Sequence, residues 1–404
     1  MPIRPILSSL RRHKLIVTLL ALLVAFTCAI VCNVAFMIRQ HVADMGVPSG
    51  VAESQLVMIE SVNLKPGVNH IAQHRVDLAA LRAIPGVTSA AAVDALPFNG
   101  NNWSTTASIT PNGQNVAQLS VFNGTPGELQ TLGLKLVAGR DFRADEYVPK
   151  HATANNGGLQ HVPAVIVTRA LAERLFPGKQ ALGRLIYPYS NGVRIVGIVN
   201  GLLQPGGGNG PDNNFSALFS MLPDGMSVTY VLRTSPHDRA QVLQLARKAL
   251  LKVDPDRVLL HPQTFTQLRA RHFSRTRTMI DLLLAAAFGL LFVAALGITG
   301  LANFWVQQRT RSIGIRRAVG ATRGDILHYF QTENFLIVTG GVVLGVILAV
   351  GLNLLLMQHY EVPRLPLWYL VVGAVALWVL GQLAVLAPAL RASHVPPVVA
   401  VRSA

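Results

Sequence analysis

The chain has 404 residues, 51% of them hydrophobic and 13% charged, with a formal net charge of +16 and a mean hydropathy of +0.41. That composition excludes a disordered chain and lies on the membrane side of the globular range. Nucleic acid is excluded by where the charge sits. Residues 39–275 carry 22 Lys and Arg against 15 Asp and Glu, the remaining excess gathers at the ends of apolar runs, and no zinc-finger, basic-zipper or aromatic-basic RNA motif is present.

In chain order, residues 1–14 end in the basic run RRHK, and residues 15–38 are uncharged. At a helical rise the second stretch covers about 36 Å, enough for a hydrocarbon core of about 30 Å. It is also longer than a signal-peptide core of about 7–15 residues. It reads as transmembrane helix 1, uncleaved, with its amino end in the cytoplasm. Cys28 and Cys32 lie inside it on one face and read as small packing residues, since a metal site needs further ligands.

Residues 39–275 read as a separately folded domain on the far side of the membrane. A strand at 56–59, a helix at 76–84 and a strand at 87–93 open it; a strand at 227–234, a helix from the Ser235-Pro236 cap to 253 and a strand at 258–261 close it. These two β-α-β units suggest a split, pseudo-symmetric lobe interrupted by an insertion over about 104–226. Within the insertion, Thr168 is placed to cap a helix through Phe176, which Pro177-Gly178 ends, and the Gly- and Asn-rich residues 201–214 read as a mobile loop. Phe265, Leu268, Phe273 and Met279 have helical spacing with Arg269, Arg271, Arg275 and Arg277 between them. That helix is expected to continue into the membrane as part of a stalk.

Three further spans follow at 281–305, 334–357 and 367–390. Alternation places the loop 306–333 and the tail 391–404 inside and the short loop 358–366 outside. The positive-inside rule agrees: the inner loop carries Arg309, Arg311, Arg316, Arg317 and Arg323, and the outer one has only Glu361 and Arg364. Apolar residues and Gly314, Gly320 and Gly324 alternate with those arginines. This mixture describes an amphipathic element lying along the membrane with a turn available at each glycine, a docking surface more than an anchor. The fold class is an α-helical membrane protein with four transmembrane helices and a large α+β periplasmic domain inserted between helices 1 and 2.

Catalytic signatures are missing. There is no Walker-type phosphate loop, HExxH, GxSxG or CxxC, so no enzymatic activity is expected of this chain. His70 and His74, four apart, read as a solvated surface pair and not as a metal site. Asn303 and Asn353 within spans are suited to interhelical hydrogen bonding, a packing role.

Residues 311–322 (RSIGIRRAVGAT), followed by Asp325-Ile326, Glu333 and Gly340-Gly341, resemble the signature loop and third span of MacB/FtsX-like permease subunits of type VII ABC transporters. The tail 388–403 is similar to that family's closing segment. In the outer domain LGLKLVAGRDF, VTRALAERLFPGKQALGRLI and VRIVGIV stand in the family's order. The resemblance implies a coupling segment of Arg311, Ser312, Ile313, Gly314, Ile315, Arg316, Arg317, Ala318, Val319, Gly320 and Ala321 seated in a groove of a separate ABC ATPase subunit. ATP and Mg would bind that subunit, with no cofactor on this chain. Implied partners are a second permease copy or paralogue, a periplasmic adaptor, an outer-membrane channel and membrane lipid. The implied location is the bacterial inner membrane with both termini cytoplasmic, and the implied work is mechanotransmission driving export of a drug, peptide or similar substrate from the periplasm. Lipoprotein release and control of a cell-wall hydrolase are alternatives within the family, and a membrane-anchored periplasmic sensor is one outside it. Ser312 departs from the family pattern, which commonly has an acidic residue there, and this weakens contact with a basic residue of the ATPase.

Overall fold

The computed structural model describes residues 14–101, 103–150, 159–189, 191–208, 210–360 and 364–393. They divide into an outer unit, Ala43–Arg275, and a helical unit, Met1–Val42 with Thr276–Ala404. After the long helix α1 (Lys14–Met45), the outer unit begins with β1 (Leu56–Val62), α2 (His70–Arg82) and β2 (Val87–Val93). The insertion follows as β3 (Ser104–Ala107), β4 (Ala117–Asn123), α3 (Glu128–Leu132), β5 (Leu136–Gly139) and β6 (Val148–Pro149). It continues with β7 (Ala164–Thr168), α4 (Arg169–Leu175), β8 (Leu185–Ile186), β9 (Val193–Val199), β10 (Ser216–Phe219) and β11 (Met221–Leu222). The unit closes with β12 (Ser227–Thr234), α5 (Arg239–Val253), β13 (Val258–Thr264) and α6 (Phe265–His272).

The flanking halves share one antiparallel sheet, ordered β13-β1-β12-β2. This is the β-α-β-β-α-β arrangement of a ferredoxin-like sheet, cut between β2 and β12. Because side chains alternate along a strand, Val57, Ile59, Tyr230 and Leu232 face α2 and α5 and pack on Leu78, Leu81, Val242 and Leu250. Leu56, Met58, Val93 and Val231 face the other way and meet Phe122, Ile166 and Leu218 of the insertion. The insertion forms its own mixed sheet, β3-β4-β10-β7-β9-β5 with β8 on β9. Its second face (Val165, Val167, Ala217, Phe219) is covered by Leu171 and Leu175 of α4.

Several expectations shift in detail. Thr168 does cap α4, its hydroxyl accepting from Leu171 N at 3.4 Å. The cap expected at Ser235 instead closes a turn, through Asp238 N to Ser235 O at 3.1 Å, and α5 starts only after Asp238. The start of the expected mobile loop is core: Leu202 and Leu203 are fully buried, and Leu203 N donates to Ser49 O. His74 is not solvated but buried, and the reason is polar. Arg257 forms a fork on Asp77 with two bonds of 2.8 Å, and Tyr230 donates its hydroxyl proton to the same carboxylate at 2.5 Å. His74 Nδ1 lies 2.9 Å from the Tyr230 oxygen, so it is the nitrogen that must carry hydrogen. Burial holds the His74 imidazole down to about 4, neutral at ordinary pH.

Removing one partner of so buried a pair leaves the other charge without compensation. Asp77→Ala is therefore expected to cost about 3–5 kcal/mol in urea denaturation of the full chain, with most of it recovered in an Asp77→Leu/Arg257→Met double variant. A second test concerns Glu128, which is 1% exposed with Oε1 lacking a hydrogen-bond partner. Burial, reinforced by Asp141 and Asp94, pushes its carboxyl up to about 8. The folded state thus holds a proton that the unfolded chain releases near 4.5. Its stabilisation is complete below that value and is lost as pH rises through 8. Thermal unfolding of the outer domain should fall across that window, and Glu128→Gln should flatten the fall.

Candidate functional site

Among the described residues, four helices are long and apolar enough to cross a membrane: α1, α7 (Ser274–Ala318), α8 (Arg323–Tyr360) and α9 (Leu367–Ser393). Apolar burial does not drive helices together in lipid, so close approach and hydrogen bonds must do it. Both are present in the helical unit. A Cβ on Gly345 would lie 2.6 Å from the Cys28 Cβ, and one on Gly373 would lie 2.3 Å from the Cys32 Sγ, so each cysteine packs directly on a glycine backbone. Asn33 Nδ2 donates to Ala349 O at 3.1 Å, Asn334 Nδ2 to Gly381 O at 2.9 Å, and Asn353 Oδ1 accepts from Leu365 N at 3.0 Å. The first two asparagines carry no sequence signal beyond being polar within an apolar run.

The segment 306–333 differs from its expected form. It contains no separate element along the membrane. Helix α7 runs without a break through Gly314 to Ala318, and Gly324 lies in the first turn of α8. A glycine inside a helix costs only about 1 kcal/mol, less than giving up the flanking backbone hydrogen bonds, so the helix passes through it. The turn falls at Gly320 alone, whose φ of +105° suits glycine. Val319 N closes the last turn of α7 on Ile315 O at 3.1 Å. A reciprocal box then opens α8. Thr322 Oγ1 accepts from Asp325 N at 3.2 Å, and the Asp325 carboxylate accepts from Thr322 N at 2.9 Å and from its hydroxyl at 2.6 Å. The spacing Thr-x-x-Asp was the available signal for this start.

The apolar residues of the segment divide between two faces. Ile313 is 5% exposed and packs inward with Trp305, Ile326 and Phe330. Gly314 beside it is buried. Ile315 is 54% exposed and Val319 83%; four apart on a helix, they share a face. Gly320 is exposed and Ala321 half-buried. The side chains of Arg311, Ser312, Arg316, Arg317 and Ala318 lie outside the described residues, as do Glu361 and residues 394–404.

The stalk also departs from one continuous helix. α6 ends at His272 with Phe273 as its cap, buried against Phe98 at 5.4 Å between ring centroids, and α7 starts at Ser274. In the outer unit a cleft of about 970 Å³ is lined by Glu60, Asp94, Phe98, Lys150, His261 and Arg271 among others. Phe98 and His261 have left-handed backbones (φ 69° and 47°), a strained conformation that only well-determined surroundings maintain.

Residues 15–249 match the MacB-like periplasmic core domain, and residues 284–397 the FtsX-like permease C-terminal domain. Relatives include the macrolide export ATP-binding/permease protein MacB of Nitrosomonas europaea, 29% identical over 258 residues, which cover 60% of this chain and 38% of that protein. The uncharacterized ABC transporter permease YknZ of Bacillus subtilis is 24% identical over 335 residues, 81% of this chain and 78% of that one. The pyoverdine export ATP-binding/permease protein PvdT of Pseudomonas savastanoi pv. phaseolicola is 35% identical over 137 residues, 32% and 20% of the two chains. The fold thus defines a multi-pass membrane protein with a large α+β domain outside the bilayer. More particularly, the chain belongs to the family of MacB/FtsX-like ABC permeases.

The capping box gives a test local to this site. Thr322→Ala should cost about 1 kcal/mol of helix-start stability. In hydrogen exchange this reads as roughly fivefold faster exchange of the amides at 323–326, with the outer domain unchanged.

Proposed function

We propose that this chain is a non-catalytic permease subunit through which a separate ABC ATPase, binding ATP and Mg, changes the conformation of the outer domain. It sits in the bacterial inner membrane with both termini cytoplasmic and the large domain periplasmic. It works with a second permease copy or paralogue, and export from the periplasm of a drug, peptide or similar substrate proceeds with an adaptor and an outer-membrane channel. The observation that carries the reading is the outward pair Ile315 and Val319, on a helical extension past the apolar span and next to the turn at Gly320. An apolar pair held out on a helix end in a basic segment is what a groove on a soluble partner can grip. The exporting relatives and the arginine-rich composition of the segment support the same orientation.

The test is purification of the full chain from detergent-solubilised membranes, with mass identification of what accompanies it. A P-loop ATPase should be recovered with the wild type and reduced at least tenfold by Ile315→Asp or Val319→Asp, each equivalent to a loss of about 1.4 kcal/mol or more. Both variants should keep the wild-type thermal transition because their side chains are exposed, whereas Ile313→Asp should lower it. Equal ATPase recovery from the wild type and both outward variants would remove the docking assignment.

A further inference from the structure

We propose that Arg269 is a positioning residue that fastens together the two places where the chain passes between the units, so that movement of either reaches the outer domain through one guanidinium. This rests on the transport reading above. Arg269 lies on α6, five residues before α7 begins. Its Nη2 donates to Met45 O at 2.7 Å and to Val47 O at 2.8 Å. Met45 is the last residue of α1, whose terminal carbonyls have no partner within the helix and carry the negative end of its dipole. Its Nη1 donates to Glu53 Oε1 at 2.5 Å, an oxygen that also accepts the Ser49 hydroxyl at 2.6 Å. The guanidinium carbon lies 5.3 Å from the Phe98 ring centroid. One side chain therefore holds the end of α1, the segment leading to β1, and the loop after β2.

Chemistry selects arginine here. Two carbonyls and a carboxylate are met at once by a planar fork, while an ammonium offers a single point of charge. The Arg269 and Glu53 side chains are 22% and 23% exposed, so the pair is shielded from water more than a surface ion pair, and hydrogen bonds to charged groups are the stronger kind. Packing adds to the fastening. Met45 and Val47 lie against the core that contains Phe265, Leu268 and Phe273. A displacement of α1 along its axis would pull on carbonyls bound to α6. A displacement of α7 acts on α6 through Phe273.

Hydrogen exchange on the full chain tests this in two arms. Without nucleotide, Arg269→Ala should speed exchange over 45–53 by about tenfold or more, the loss of a charge-assisted bond, while β1, β9 and β12 keep wild-type protection. Arg269→Lys should fall between. Unchanged exchange over 45–53 in Arg269→Ala would overturn the fastening whatever the protein transports. If Arg269→Ala unfolds the domain, Glu53→Gln removes the ion pair alone and should give the same regional loosening at smaller amplitude; a wild-type pattern there overturns the proposal. The second arm uses the complex purified with its ATPase. ATP and Mg should alter exchange both near 313–325 and in the outer domain of the wild type, and in Arg269→Ala only near 313–325. An outer-domain response that survives Arg269→Ala would overturn the proposal. Failure of the transport reading shows differently, as no nucleotide response at either end of the wild type.

Discussion

The outer domain depends on one apolar face shared by two sheets. Leu56, Met58, Val93 and Val231 of the four-stranded sheet meet Phe122, Ile166 and Leu218 of the insertion's sheet. Neither set can be buried without the other, since the opposite face of each sheet is already spent on its own helices. The cut between β2 and β12 is thermodynamically tolerable because closure entropy grows only slowly with loop length, and the insertion returns apolar burial in exchange. Phe265 and Leu268 of α6 enter the same core. The route by which the chain leaves the domain is therefore part of what holds the domain together.

The helical unit solves a different problem. Its interior and the lipid around it are similarly apolar, so packing is specified by fit and by polar contacts. Cys28 and Cys32 meet Gly345 and Gly373 with no room for a further carbon, which gives the two cysteines the packing role their small size suggests. Asn33 and Asn334 supply direction through bonds to backbone carbonyls on other helices. The helix α7 presents Leu282, Phe288 and Phe292 outward, each more than 60% exposed within the chain, apolar side chains suited to lipid.

How much of this was legible follows from the range of each signal. The spans could be read because a membrane-length apolar run needs no partner to identify it. The strands at 87–93 and 227–234 match β2 and β12, since alternation and turn residues bound them locally. The Arg257–Asp77–Tyr230–His74 cluster could not be read: its members come from three places in the chain, and His74 looks solvated until Tyr230 is placed beside it. In sequence the segment 306–333 reads as an amphipathic element along the membrane with a turn available at each of three glycines. Continuity of the backbone hydrogen bonds overrides two of them, and only Gly320 adopts the conformation that glycine alone favours. The apolar pattern of that segment was seen, but not that Ile313 and Ile315 face opposite ways, which follows once the segment is helix throughout.

That continuity also bears on how force would travel in the transport reading. From Ser274 to Ala318 the chain is one helix, about 68 Å at 1.5 Å per residue. A load applied at Ile315 and Val319 meets no turn or glycine break before Ser274. A helix of this kind bends gently but does not shear its ladder of hydrogen bonds. The first interruption of the helix is at Phe273, whose ring is buried in the domain core rather than free in solvent. The joint and its anchor therefore coincide, one helical turn from Arg269. A stalk with its joint in a solvent-exposed linker would dissipate the motion before it reached the domain; here the joint lies among the residues that the domain needs in order to fold.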